Sequence, residues 1–82
     1  MARREYLITD YAARRMMLRG ISVAEVSGVF GHPTRIEPSP HDPHRLIHRR
    51  TIQGRHLVVV AEGIPGPEPW DVVTAWEEGH HE

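Results

Sequence analysis

The chain has no cysteine, no lysine and no long apolar run. Without cysteine, disulfides and thiolate metal sites are excluded. A membrane-spanning helix needs roughly 18 apolar residues, and the apolar part of the opening MARREYLI is also too short for a signal peptide. We therefore expect a soluble, cytoplasmic protein that does not insert into a membrane.

The chain is also short. Its 82 residues leave room for one hydrophobic core, so we expect a single domain over residues 1–82. A domain of this size buries only roughly 60–65% of the surface that its unfolded chain exposes. This small margin favours a stabilising partner, either a second copy (a homodimer) or another protein.

All ten basic residues are arginine, and charge is unevenly distributed along the chain. All ten arginines lie between Arg3 and Arg55 with five acidic residues, so this part carries 10 − 5 = +5. From His56 onward there are six acids and no arginine, a charge of −6. The pattern is typical of an anion-binding face beside an acidic tail. It arises equally if the two halves neutralise each other in the fold, and arginine without lysine also results from a GC-rich genome.

Periodicity and turn signals predict an α+β domain: a β-α-α unit, then a three- to four-stranded antiparallel sheet with both helices on one face. Asp10 and Gly20 bound the first helix, and Ser22 with Glu25 has the spacing of a capping box. Gln53-Gly54 predicts a two-residue hairpin turn. The predicted strands are Tyr6–Thr9, a short one near Arg35–Glu37, Arg45–Ile52, Arg55–Ala61 and Trp70–Trp76. The predicted helices are Tyr11–Arg19 and a second one from Val23 to Val29 or Phe30. Gly63–Pro69 is predicted to be a loop.

The first helix carries a row of polar residues beside its apolar face. At 100° per residue, Tyr11, Arg15 and Arg19 form a ridge along one strip. The ridge is either a site that reaches an anion, or a solvated surface whose arginines bond to acidic residues such as Glu77. The predicted buried face consists of Ala12, Ala13, Met16, Met17 and Gly20.

The segment YAARRMMLRGI (residues 11–21), followed by SVAEV, resembles the opening of a family of small bacterial domains of unknown function. The pattern of that family is His-Ala-x-x-Arg-Met-x-x-Arg-Gly-Ile, then a polar cap and a Glu-x-Val helix. Tyr11 departs from it, since the family usually has histidine there. The matching residues are Ala12, Arg15, Met16, Arg19, Gly20, Ile21 and Val26.

Two later segments, QGRHLVVVAE and DVVTAW, are similar to strands of the same family and of BrnT-type toxins. The likeness covers Tyr6 to Trp76 and implies a RelE/BrnT-like fold of the barnase/EndoU/colicin/RelE-like group. It implies a ribonuclease toxin, with RNA as substrate and a cognate antitoxin as partner. Arg50 corresponds to an arginine of the toxin-like strand pattern.

Metal-independent RNA cleavage needs a base for the 2′-hydroxyl, an acid for the 5′-oxygen and positive charge at the phosphorane. Histidine and arginine supply these groups. The Gln53-Gly54 turn places Thr51 opposite His56 and divides the hairpin into two faces, of which one is buried under the helices. His48, Arg50 and Arg55 form the denser cluster, and the other face carries Arg45, Ile47, Arg49, Thr51, His56, Val58 and Val60.

The last strand adds two candidates. Alternation places Thr74 on one face with Trp70, Val72 and Trp76. The Thr74 hydroxyl would bond a phosphate and Trp76 would stack on a base; alternatively, the tryptophans belong to the core or to a partner interface. His41, His44 and His48 have spacings of three and four but cross irregular chain, so we predict no metal and no cofactor.

The resemblance implies a toxin of a type II toxin-antitoxin system, and the basic residues above predict that it acts as a metal-independent endoribonuclease. The predicted catalytic residues are His48, Arg50, Arg55, Tyr11 and Thr74, and the predicted RNA-binding residues are Arg15, Arg19, His56 and Trp76. The alternative is a degenerate, non-enzymatic module that binds a protein partner, which Tyr11 favours because tyrosine is a poor base. A plain RNA-binding protein is disfavoured by the net charge near zero.

Overall fold

The computed structural model describes residues 6–63 and 69–79. They form an α+β domain with two helices and a five-stranded mixed sheet, in the order β1-β5-β4-β3-β2. Most of the predicted Gly63–Pro69 loop and the terminal histidines lie outside the described residues. The strands are β1 (Tyr6–Ile8), β2 (Arg35–Pro38), β3 (Arg45–Ile52), β4 (Arg55–Glu62) and β5 (Trp70–Glu77); the helices are α1 (Asp10–Arg19) and α2 (Val23–Gly31).

The sheet is larger than the predicted three to four strands, and it is not wholly antiparallel. β2, β3, β4 and β5 pair antiparallel, but β1 joins the outer edge of β5 in parallel, with Tyr6 opposite Trp70. A parallel pair needs a long crossover, and here α1, α2 and three strands separate β1 from β5 along the chain. Local turn signals therefore contain no information about this pairing.

The hairpin between β3 and β4 has the predicted register. Gln53 and Gly54 form its turn with φ of 52° and 80°, so Thr51 pairs with His56 and Ile52 with Arg55. Gly tolerates a positive φ without steric cost, which explains why it occupies the second turn position.

The helices begin and end close to the predicted positions. Thr9, rather than Asp10, is the N-cap of α1, because its hydroxyl accepts a hydrogen bond from the Ala12 amide at 3.1 Å. Gly20 ends α1 in the left-handed region, with φ of 67°. The capping box of α2 forms as predicted, with Ser22 and Glu25 bonding each other's backbone amides.

Both helices pack on one face of the sheet, α1 against β5 and α2 against β3 and β4. The core between them includes Met16 and Val26 from the helices and Leu57, Val59 and Ala75 from the strands. We call this side of the sheet the helix face. Met17 was predicted to be buried, but it is 82% exposed, because the narrow contact with β5 covers only the strip around Ala12 and Met16.

The opposite side of the sheet, which we call the open face, carries the residues that alternate with this core. Val58, between the core residues Leu57 and Val59, pairs with Arg49 on one side and with Trp76 on the other. No helix of the two described ranges packs against this face. Neither α1 nor α2 has the length and apolar character that a membrane crossing requires.

Candidate functional site

A cavity of about 530 Å³ lies at the end of the sheet where β2 begins, the β3–β4 hairpin turns and β5 ends. Arg49, Thr51 and His56 reach it from the open face, since these positions alternate with buried neighbours. Atoms of Arg50 and Leu57 contribute to its wall, and Gly79 closes one side. Its remaining polar lining is Thr34, Arg35 and Glu78.

Two guanidiniums lie next to each other in this cavity, because Arg35 of β2 pairs with Arg49 of β3. Their like charges are compensated by Glu37, whose carboxylate lies 2.9 Å from Arg49 Nε and 3.3 Å from Arg35 Nε. Glu78 makes a second ion pair with Arg49. The hydrogen bond to Glu78, followed by that to Glu37, raises the pKa of the Arg49 guanidinium above its ordinary value.

The histidine of the cavity is held by its neighbour across the hairpin. His56 Nδ1 lies 2.8 Å from Thr51 Oγ1, and both residues are exposed. The backbone of His56 also holds the end of β5, since its carbonyl accepts a hydrogen bond from the Glu78 amide at 2.7 Å. An imidazole, a hydroxyl and two guanidiniums therefore share one accessible space, a combination suited to binding a phosphate group and moving a proton.

The cluster predicted to be catalytic, His48, Arg50 and Arg55, lies on the other side of the sheet, which the helices cover. His48 is fully buried, with Nδ1 3.2 Å from the Leu46 carbonyl and 3.3 Å from the Val59 carbonyl. Its ring packs 4.9 Å from the ring of Phe30. α2 covers this side of β3, so His48 has no path to a bound substrate in this conformation.

Arg50 and Arg55 also have structural contacts in place of a shared anion site. Arg50 Nη1 donates to the carbonyl of His32 at 3.1 Å and caps the C-terminal end of α2. Arg55 bridges two carboxylates, Glu25 at 2.6 Å and Glu77 at 3.1 Å. These contacts tie both arginines to elements on the helix face.

The predicted ridge on α1 exists. Arg15 Nε donates to the Tyr11 hydroxyl at 3.0 Å, and its guanidinium lies 5.0 Å from the centre of the Tyr11 ring. Arg19 Nη1 donates to the Ala75 carbonyl at 2.9 Å and approaches the Thr74 hydroxyl at 3.4 Å. The ridge thus brings together two predicted site residues, Arg19 and Thr74. Among the described residues that line the cavity, however, none belongs to the ridge.

The face predicted for Thr74 also requires a correction. β5 contains a bulge: Val60 pairs with Thr74 while its neighbour Ala61 pairs with Val72, which leaves Val73 as an extra residue. Val72 and Trp70 therefore lie on the helix face, whereas Thr74 and Trp76 lie on the open face. Trp76 is half-buried beside Val58.

Sequence reasoning found His56 and its pairing with Thr51, but it missed Arg35, Arg49 and Glu78 as site residues. Alternation along the hairpin would have identified Arg49 as a site residue only if it were also known which face of the sheet the helices cover. Arg35 and Glu78 reach the cavity only through the pairing of β2 with β3 and the end of β5, and no local pattern in the sequence signals either.

Residues 8–77 match a family model described as a domain of unknown function (DUF4258). The chain belongs to this family. Neither a search of curated proteins nor a search of solved structures found a match.

The matched range contains both the α1 ridge and most of the cavity of this DUF4258 domain. Glu78 and Gly79, at the end of β5, lie just beyond it. The family description names no reaction, so the chemistry of the site is inferred from its side chains.

Proposed function

We propose that the chain is a toxin-type, metal-independent endoribonuclease of the RelE/BrnT-like kind, and that the open-face cavity is its active site. One observation carries this proposal. The cavity brings His56, Thr51, Arg35 and Arg49 together on the face that the helices leave uncovered. Of the three groups that metal-free RNA cleavage needs, His56 supplies the base and the two arginines supply the positive charge, while solvent serves as the acid.

The roles follow from the chemistry of each group. The His56 imidazole takes the proton of the 2′-hydroxyl as that oxygen attacks the phosphorus, and histidine is the side chain that most often serves as a general base in enzymes. Arg49 and Arg35 contact the phosphate oxygens and stabilise the charge of the phosphorane. The bond from phosphorus to the 5′-oxygen then breaks, solvent supplies a proton to that oxygen, and the products are a 2′,3′-cyclic phosphate and a 5′-hydroxyl.

Glu37 and Glu78 set a condition on this site. Both carboxylates pair with Arg49, so they compete with an incoming phosphate for its guanidinium. Glu78 is the more exposed of the two, at 51% against 34%, and it is the group that we expect to move. Glu37 then remains to hold the two guanidiniums close together.

The test is cleavage of a labelled single-stranded RNA by purified protein in the presence of EDTA. We expect His56→Gln to lower the rate by about 10²–10⁴ and Arg49→Ala by about 10²–10³. His41→Gln and Arg45→Ala change the same residue types outside the cavity and should leave the rate unchanged. Expression of the wild-type chain without an antitoxin should slow growth. Wild-type protein that cleaves no RNA, or His56→Gln protein as active as wild type, would contradict the proposal.

A second candidate function is a non-enzymatic module that binds an acidic protein partner. The outer side of α1 favours it, since Tyr11 and Leu18 are 57% and 79% exposed and lie on one strip with Arg14 and Arg15. Apolar and basic groups together complement a partner with apolar and acidic side chains.

The product of the adjacent gene is the partner to test, by coexpression and sedimentation. Leu18→Glu should abolish the complex, while Leu7→Glu, at an exposed leucine outside α1, should not. A complex unaffected by Leu18→Glu would exclude this surface. A chain that sediments as a dimer by itself would identify a second copy as the occupant.

A further inference from the structure

The contact between Thr51 and His56 determines which nitrogen of the imidazole is available for chemistry. A neutral histidine carries one proton, on Nδ1 or on Nε2, and the hydrogen bond made by one nitrogen sets the state of the other. Only a ring nitrogen without a proton can act as a base. His56 Nδ1 lies 2.8 Å from Thr51 Oγ1, so Nε2 is the nitrogen left to a bound substrate.

We propose that Thr51 is a positioning residue that holds His56 in the Nδ1–H form and thereby presents Nε2 as the proton acceptor. This inference rests on the proposed function for its use in catalysis, but the proton position exists without any substrate. The hydroxyl accepts from Nδ1–H both before and after Nε2 gains a proton. The same contact therefore serves the neutral imidazole and the imidazolium, and the ring need not rotate during the reaction.

The geometry of the hairpin explains why Thr51 can do this. Thr51 and His56 are directly paired across an antiparallel ladder, and side chains of such a pair lie about 4.5–5.5 Å apart at Cβ. The Gln53-Gly54 turn lies one residue pair further on, after Ile52 and Arg55, and fixes their register. Threonine is β-branched and has a restricted χ1 angle, so its hydroxyl is held in place at little entropic cost.

The proton position can be measured directly by long-range ¹H–¹⁵N correlation spectroscopy on ¹⁵N-labelled protein at pH 8, with no RNA present. The chain has seven histidines, and loss of one signal set in His56→Gln protein assigns His56. We expect Nδ1–H to predominate in wild type and in Thr51→Ser, and the Nδ1–H fraction to fall at least threefold in Thr51→Val. Thr74→Val, the same change on the open face outside the cavity, should leave the His56 signals unchanged.

The kinetic consequence is a separate measurement. Thr51→Val should lower kcat for RNA cleavage by about 10–100-fold with KM little changed, because the base is misoriented while the phosphate contacts remain. Thr51→Ser should restore kcat to within about threefold. Nε2–H as the main form in wild type, or equal tautomer fractions in wild type and Thr51→Val, would overturn the inference. The expected tautomers in a protein without cleavage activity would overturn the proposed function alone.

Discussion

Replacement of Arg55 by alanine tests whether this arginine serves the fold rather than a reaction. Its guanidinium joins three elements: the start of α2 through Glu25, the end of β5 through Glu77, and the end of α1 through the Gly20 carbonyl at 3.3 Å. The side chains of Arg55, Glu25 and Glu77 are 29%, 18% and 27% exposed. Arg55→Ala would leave two carboxylates of one cluster without their shared cation.

The magnitude follows from this partial burial. Hydrogen bonds to charged groups contribute roughly 1.5–3 kcal/mol when shielded, whereas exposed ion pairs contribute about 0.2–1 kcal/mol. Solvent screening at this exposure places the loss between these values, at about 2 kcal/mol for the whole contact set. A domain of this size loses about 4–8 °C in Tm per kcal/mol, so Tm should fall by about 8–16 °C.

Urea and thermal denaturation followed by circular dichroism measure this loss. Arg45→Ala is the matched control, because Arg45 also pairs with two carboxylates, Asp42 at 3.5 Å and Glu62 at 3.6 Å, but its side chain is 44% exposed. This substitution should lower the free energy of unfolding by less than about 1 kcal/mol. A double-mutant cycle of Arg55→Ala with Glu77→Gln should show positive coupling. If Arg55→Ala is no less stable than Arg45→Ala, the contacts of Arg55 do not hold these three elements together.

Two further results are expected. Hydrogen bonding to the Ser22 backbone, then the Arg55 charge, holds the pKa of Glu25 below the ordinary value of 4.5. The stabilisation that the Glu25 carboxylate provides is therefore complete above that pH and is lost as the pH falls through the lowered pKa. Glu25→Gln should flatten the acid limb of the curve of unfolding free energy against pH, and an unchanged limb would refute this. Glu78→Gln removes the anion that competes for Arg49 and should strengthen binding of a labelled single-stranded RNA twofold to fivefold, about 0.4–1 kcal/mol. A fluorescence titration measures this affinity, and Glu62→Gln is the control outside the cavity. Weaker binding by Glu78→Gln protein would contradict the prediction.

The sequence and the tertiary structure favour different sides of the hairpin for the candidate site. The hairpin register was correct, and it separates the histidines and arginines into two sets by alternation. The set with His48, Arg50 and Arg55 is denser in basic residues, and the prediction from the sequence chose it for that reason. Inside the fold, however, Arg50 bonds carbonyls at the end of α2 and Arg55 bonds the carboxylates of Glu25 and Glu77. His48 lies against carbonyls of β3 and β4.

Short-range features were determined by the sequence itself. The capping box at Ser22, the left-handed end of α1 at Gly20 and the turn at Gln53-Gly54 depend on contacts within a few residues, and each formed where its residues predict it. The pairing of Thr51 with His56 belongs here too, because a two-residue turn leaves a single register.

Only the tertiary structure decided which face of the sheet the helices cover, where β1 pairs, and where β5 bulges. These depend on contacts between residues far apart in the chain, such as Tyr6 against Trp70 and Val60 against Thr74. Alternation along a strand defines two faces without saying which is buried, because that depends on where the helices pack. The packing of α1 and α2 buries His48, and it leaves His56, Arg35 and Arg49 around one accessible cavity.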